Sequence, residues 1–176
     1  ISRCQNLSFS NISRKKIEEF LLDKDVSEKK VKLISGLARG SIAKALEISA
    51  NDKFLNERKK IYDFLKEINN IKKVEIFSQV KEMIKLLNDK FPLFNLLSSW
   101  YRDIIIYKSG NQKQLVNFDY KNEIKKEAKR YSLNELLKII NLINEHQNYI
   151  DRNAFKDLTL QVLFLKIRAK RLQVRV

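Results

Sequence analysis

Leu93-Phe94-Asn95-Leu96-Leu97-Ser98-Ser99-Trp100-Tyr101-Arg102-Asp103-Ile104-Ile105-Ile106-Tyr107 follows directly on Phe91-Pro92. Leu93, Leu96, Leu97, Trp100, Tyr101, Ile104, Ile105 and Tyr107 recur at three- and four-residue spacing, the period of a helix with one broad apolar face. Proline suits the first turn of such a helix, and it pushes the residue before it out of helical backbone, so a preceding helix must stop there. A stripe this wide predicts a helix at the centre of its domain. The chain has only 3 Gly and 1 Pro in 176 residues, far below the usual ~7% and ~5%. That leaves too few turn formers for a sandwich or barrel, and the predicted fold is all-α.

Upstream of this helix the same spacing repeats. Ile12, Ile17, Phe20 and Leu21 predict a short helix down to Asp23. Ser27 is placed to cap a second, with Val31, Leu33 and Ile34 apolar and Gly36 as its C-terminal stop. Ser41 is placed to cap a third, with Ile42, Ala45 and Leu46 on one side and Ala43, Lys44 and Glu47 outward. A boundary is expected at Asn51-Asp52, with Asp52 capping a longer helix that carries Phe54, Leu55, Ile61, Phe64, Leu65 and Ile68. Val74, Phe77, Val80, Ile84 and Leu87 mark the helix after it.

Downstream, Ser109 to Phe118 reads as a long polar loop turning at Gly110, followed by a short helix around Ile124 and Ala128. Ser132-Leu133-Asn134-Glu135 reads as a capping box, opening a helix with Leu136, Leu137, Ile140, Ile143 and His146. After Arg152-Asn153 comes a last helix in which Phe155, Leu158, Leu160, Val162, Leu163, Phe164, Leu165 and Ile167 leave almost no polar face. Such a helix must be covered on nearly all sides, by its own domain or by other subunits, and it is the strongest purely physical hint of oligomeric assembly. Phe164 stands among its candidate surface contacts.

Charge and chemistry narrow the function. Thirty-six basic residues against 21 acidic ones give +15, which favours a polyanionic partner. The charge is scattered, however: Arg14-Lys15-Lys16, Lys29-Lys30, Arg58-Lys59-Lys60 and Lys125-Lys126 read as solvated helix faces. The sustained excess is C-terminal, at Lys166, Arg168, Lys170, Arg171 and Arg175, where cations also complement a helix C-terminus. No apolar run nears the ~20 residues that span a bilayer. One cysteine argues against a disulfide framework and for a reducing compartment, the cytoplasm. His146 and Cys4 are single residues of their type, so neither a metal cluster nor a Cys-His pair can be built from them. Arg102-Asp103 reads as a structural ion pair at the edge of a core.

The remaining candidate for chemistry is Arg3. Ile1-Ser2-Arg3-Cys4-Gln5 begins without a methionine and reads as the end of a missing N-terminal part. A guanidinium there could be offered in trans to phosphates held by a neighbour.

Ser2-Arg3-Cys4 resembles the Ser-Arg-Cys motif of clamp-loader subunits of the AAA+ family. Gly40-Ser41-Ile42-Ala43-Lys44-Ala45-Leu46 is similar to the last helix of their small lid. Trp100-Tyr101-Arg102-Asp103-Ile104-Ile105, Leu115-Val116-Asn117-Phe118-Asp119 and Asn153 before the apolar final helix resemble the C-terminal domain of the delta-prime family of bacterial DNA polymerase III. The resemblance spans essentially the whole chain. It implies residues 1–6 as the end of an AAA+ nucleotide-binding-type domain, 7–50 as a three-helix lid, and 51–176 as a helical collar for oligomerisation.

It further implies a part in ATP-driven loading of a sliding clamp onto primed DNA, as an accessory subunit of a DNA-directed DNA polymerase. Arg3, flanked by Ser2 and Cys4, would be an arginine finger. The resemblance implies gamma/tau and delta subunits as collar partners, and the sliding clamp and primer-template DNA as partners through the complex. No membrane is expected, and no cofactor in this chain, ATP and Mg being held by neighbouring subunits. The ATP-binding gamma subunits carry Gly-Ser-x-Arg on the lid helix, whereas Ala43 stands here in place of that arginine. The competing expectation is a stand-alone basic DNA-binding protein whose first three helices form a helix-turn-helix-like unit, but Ala43, Lys44 and Glu47 are a poor base-reading set.

Overall fold

The computed structural model describes residues 10–51, 53–68, 70–88 and 91–172. Among them are nine α-helices and two single 3-10 turns, with no strand, so the fold is all-α. Residues 1–6 and the Asp52 cap lie outside the described residues. Two compact units divide the chain, Ile1–Phe54 and Leu55–Val176.

The first unit holds α1 (Arg14–Leu22), α2 (Glu28–Leu37) and α3 (Ile42–Ser49). Ser13 and Ser41 each accept a hydrogen bond from a backbone N–H three residues on, the cap that starts α1 and α3. Ile17, Leu21, Val31, Ile34, Leu37, Ala45 and Ile48 form the core. Arg14 ties α1 to α2, donating from Nη2 to the Lys32 carbonyl at 2.7 Å and from Nε to Glu18 at 3.0 Å.

Two expectations for this unit are corrected. Gly36 lies inside α2, which continues to Leu37; the left-handed backbone that ends it falls on Arg39 and Gly40, with φ of 49° and 86°. A Cβ on Gly40 would stand 2.6 Å from that of Asn11, so only glycine fits. Leu46 is exposed, and Ile48, three residues after Ala45, takes the inward position.

The second unit holds α4 (Phe54–Glu67, entering from the boundary), α5 (Lys73–Asn88), α6 (Leu93–Lys108), α7 (Lys121–Ala128), α8 (Leu133–Asp151) and α9 (Lys156–Leu172). Helix α6 packs against α5, α7 and α8, while α9 lies on α5 and α8. Leu93, Leu96, Leu97, Trp100, Tyr101 and Ile104 are all buried. Helix α8 begins with a true capping box: Glu135 N–H donates to Ser132 Oγ at 3.2 Å, and Ser132 N–H donates back to Glu135 at 2.7 Å.

In α5 the buried stripe is Ile76, Val80 and Met83, while Val74 and Phe77 are exposed. Both sets have helical spacing, and packing on α9 selects between them. In α8, Ile139 is buried rather than Leu137, for the same reason. The Ser109–Phe118 segment is not uniformly polar in its setting, since Leu115, Val116 and Asn117 are buried.

Candidate functional site

Ser2, Arg3, Cys4 and Gln5 lie outside the described residues. On α3, Ala43 and Lys44 are exposed. His146 is buried, with Nδ1 at 2.7 Å from the Leu142 carbonyl. A carbonyl can only accept, so Nδ1 carries the proton, and the ring is a packed helix residue. Among the described residues, no three His, Cys, Asp or Glu side chains gather to hold a metal, and no helix is long and apolar enough to cross a membrane. The described residues instead build a buried polar node and an uncovered apolar stripe.

The node joins α4, α6 and the segment between α6 and α7. Arg58 and Tyr62 project from α4, one turn apart. Ser99 and Asp103 project from α6, also one turn apart. Asn117 stands between the two pairs. Its Oδ1 accepts from Arg58 Nη2 and from the Tyr62 hydroxyl, both at 2.9 Å. Its Nδ2 donates to Asp103 Oδ2 at 2.9 Å and to Ser99 Oγ at 3.4 Å. Asp103 also accepts the backbone N–H groups of Val116 at 3.1 Å and Asn117 at 2.6 Å. Arg58 closes the node with a forked pair to Asp119, at 2.7 and 2.8 Å, the planar geometry a guanidinium is built for. Its carbon sits 4.9 Å from the Tyr62 ring centroid and 4.8 Å from that of Tyr120, and Trp100 lies 4.7 Å from Tyr62.

Burial and neighbouring charges shift the titration of three groups in the node. Burial works to lower the Arg58 pKa, but the Asp119 hydrogen bond and the charges around it outweigh burial and hold it above the ordinary value. Burial pushes the Tyr62 phenol up to about 12, opposed by Arg58 and the Ser99 bond, so it remains a neutral donor. Burial also raises Asp103, opposed by the backbone N–H groups of Asn117 and Val116. The node is a positioning device, holding the segment around residues 115–120 against two helices.

Two expectations fall here. Arg58 is 3% exposed, not on a solvated face. Asp103 is spent on the backbone at 116 and 117, while Arg102 is exposed. Arg58, Tyr62 and Asn117 were not among the sequence candidates, although Arg58 occupies the register of Phe54, Ile61 and Leu65. A cation on an apolar stripe, with an Asn and an Asp in a later loop, was the signal.

Helix α9 carries two apolar stripes. Leu160, Leu163, Phe164 and Ile167 are buried, and Phe64 meets Phe164 edge-on at 5.0 Å. Phe164 is therefore core and not a surface contact. On another side, Phe155, just before the helix, is 86% exposed and Leu158 is 62% exposed, continued by half-buried Val162 and Leu165. These four follow helical spacing as well, so a second apolar stripe runs along the segment beside the buried one. Of the C-terminal cations, Lys166 is exposed and Arg168 half-buried. The side chains of Lys170 and Arg171, and all of Arg175, lie outside the described residues.

Residues 52–167 match the family described as DNA polymerase III, delta subunit, C terminal. That range contains the whole node and all four residues of the uncovered stripe. The chain is also 29% identical over 131 residues to the DNA polymerase III subunit delta' of Bacillus subtilis (strain 168), which covers 73% of this chain and 40% of the relative. The chain thus spans less than half the length of that relative. No solved structure matches the chain significantly. With two thirds of its length matched, including every residue of the polar node, the chain belongs to the family of DNA polymerase III delta C-terminal domains.

Proposed function

We propose that this chain is the helical C-terminal part of a delta-prime clamp-loader subunit, acting in the cytoplasm in ATP-driven loading of a sliding clamp onto primed DNA. The family match over the second unit carries this reading. The second unit serves as a collar domain that joins gamma/tau and delta subunits, with Phe155 and Leu158 as contacts. Covering a side chain of that size contributes about 1.5–3 kcal/mol. The first unit is the lid. Arg3, with Ser2 and Cys4 beside it, is the finger offered to ATP and Mg held by the adjacent subunit, and the subunit meets the sliding clamp and primer-template DNA through the complex. Ala43 supports a subunit that does not hold its own nucleotide. A stand-alone helix-turn-helix reading gains no support from the exposed Ala43, Lys44 and Glu47.

The test is reconstitution of the full-length subunit with its gamma/tau and delta partners. Leu158→Glu should weaken recovery of the assembled complex. Arg3→Ala should leave assembly intact and lower clamp-stimulated ATP turnover at one of the sites, with Arg3→Lys rescuing only in part because an ammonium lacks the guanidinium fork. Normal assembly with Leu158→Glu, or unchanged turnover with Arg3→Ala, removes the corresponding role.

A further inference from the structure

Helices α4 and α5 are joined by residues 68–72 alone, yet an open groove of 560 Å³ runs between them. Ile61, Phe64 and Met83 form its floor, and the half-buried Ile71 and Leu86 stand at its edge. Among the described residues its rim carries Glu57, Asp63, Glu67, Glu75 and Glu82 against one cation, Lys60. In a chain of net charge +15, the five carboxylates around this apolar trough outnumber the three lysines paired with them.

The neutralising cations mostly stand outside the trough. Lys66 pairs with Asp63 at 2.6 Å and Lys85 with Glu82 at 2.8 Å, and neither lysine lines the groove. Lys60 is used by Glu57 at 2.8 Å. Glu67 takes the side-chain amide of Asn70 at 2.7 Å. Glu75 has no ion-pair partner among the described residues. Glu67 and Glu75 therefore line the groove without an ion-pair partner among the described residues.

We propose that this groove docks a basic amphipathic helix of a partner protein. Apolar side chains at i, i+3 or i+4 and i+7 enter between α4 and α5, and flanking Lys or Arg residues meet the carboxylates of the rim. Sign selects the class of partner: nucleic acid and anionic membrane surfaces are repelled by the same rim that attracts a cationic helix. The inference uses neither Arg3 nor the α9 stripe, so it stands or falls apart from the clamp-loader reading.

The test titrates the whole 176-residue chain into a fluorescein-labelled synthetic helix of about 18 residues, leucine on one face and lysine or arginine elsewhere, with fluorescence anisotropy as the readout. A matched peptide with glutamate in place of every cation is the control. The basic peptide should bind and the acidic one should not. Affinity should fall roughly tenfold or more in the Glu67→Lys, Glu75→Lys double variant, and again between about 0.05 and about 0.3 M salt. Both positions are exposed, and unchanged Trp100 fluorescence verifies that the variant is folded. No binding, equal binding of both peptides, or binding that the double variant leaves unchanged overturns the proposal. Sedimentation supplies the last outcome: self-association of the chain that this variant abolishes would assign the groove to a second copy and overturn it as well.

Discussion

Asn117→Ala tests the node at its centre. The substitution removes bonds to Arg58, Tyr62 and Asp103, each at 2.9 Å, and a weaker one to Ser99. None of the three main partners is orphaned. Arg58 Nη2 retains Asp119, the Tyr62 hydroxyl retains Ser99, and Asp103 Oδ2 retains the Asn117 backbone N–H. The loss is then the net worth of the bonds and not the larger penalty of stranded polar groups. Two bonds to charged groups at about 1.5–3 kcal/mol each and one neutral bond at about 0.5–1.5 kcal/mol give about 3.5–7.5 kcal/mol, and the partners that each group retains place the expected loss at the lower end. Trp100 is the one tryptophan of the chain and abuts Tyr62, so its fluorescence follows the second unit alone. With an ordinary urea dependence the midpoint should fall by roughly 2 M. A shift below about 0.5 M refutes the reasoning. Asn117→Asp is the sharper companion. It keeps the acceptor for Arg58 and Tyr62 but sets a carboxylate oxygen where the amide nitrogen now faces Asp103. Two carboxylates so close share a proton, and this variant should gain stability as pH falls.

Asp103 itself has a signature in pH. Because burial holds its folded pKa above the ordinary carboxylate value, its contribution is full below that ordinary value and is lost as pH rises through the folded one. The difference in urea midpoint between the parent and Asp103→Asn, followed across that window, should show this slope. Phe164→Asp should unfold the second unit, costing about 3–5 kcal/mol, whereas Leu158→Glu should stay within about 0.5 kcal/mol of the parent by Trp100 fluorescence. Gly40→Ala combines left-handed backbone with the Asn11 clash and should cost the first unit about 1–2 kcal/mol or more. No tryptophan or tyrosine lies in residues 1–54, so faster amide exchange in α2 and α3, with the node unchanged, is the measurement.

Helical periodicity carried the fold because each helix buries one face, and the spacing in α6 and the capping box of α8 translate directly into packing and hydrogen bonds. It failed where two stripes compete. In α5, Val74 and Phe77 fit the period as well as Ile76 and Val80, and only the position of α9 decides. In α9 both stripes are real, one buried and one uncovered, so an all-round apolar helix did not say which residues were free. The node was hidden for a different reason. Arg58 stands beside Lys59 and Lys60, and local charge reads that trio as surface, while its partners Asn117 and Asp119 lie in a distant segment that reads as solvated loop. The segment's Asn and Asp were visible as part of a family-like motif, but their role depends on a contact that no local window contains.

That distance has a kinetic consequence. Arg58 and Asp119 are 61 residues apart, and Tyr62 and Asn117 are 55 apart. Joining them closes a long loop, an entropic cost that falls due before any of these bonds forms. Helix α6 must already lie against α4, with Trp100 on Tyr62, for the intervening segment to find its place. The node is then a latch that shuts on the native side of the folding barrier. Weakening it should leave the refolding rate nearly unchanged and steepen the loss on the unfolding side, so Asn117→Ala should move only the unfolding arm of the chevron. What these buried charges govern is how long the unit, once closed, stays closed.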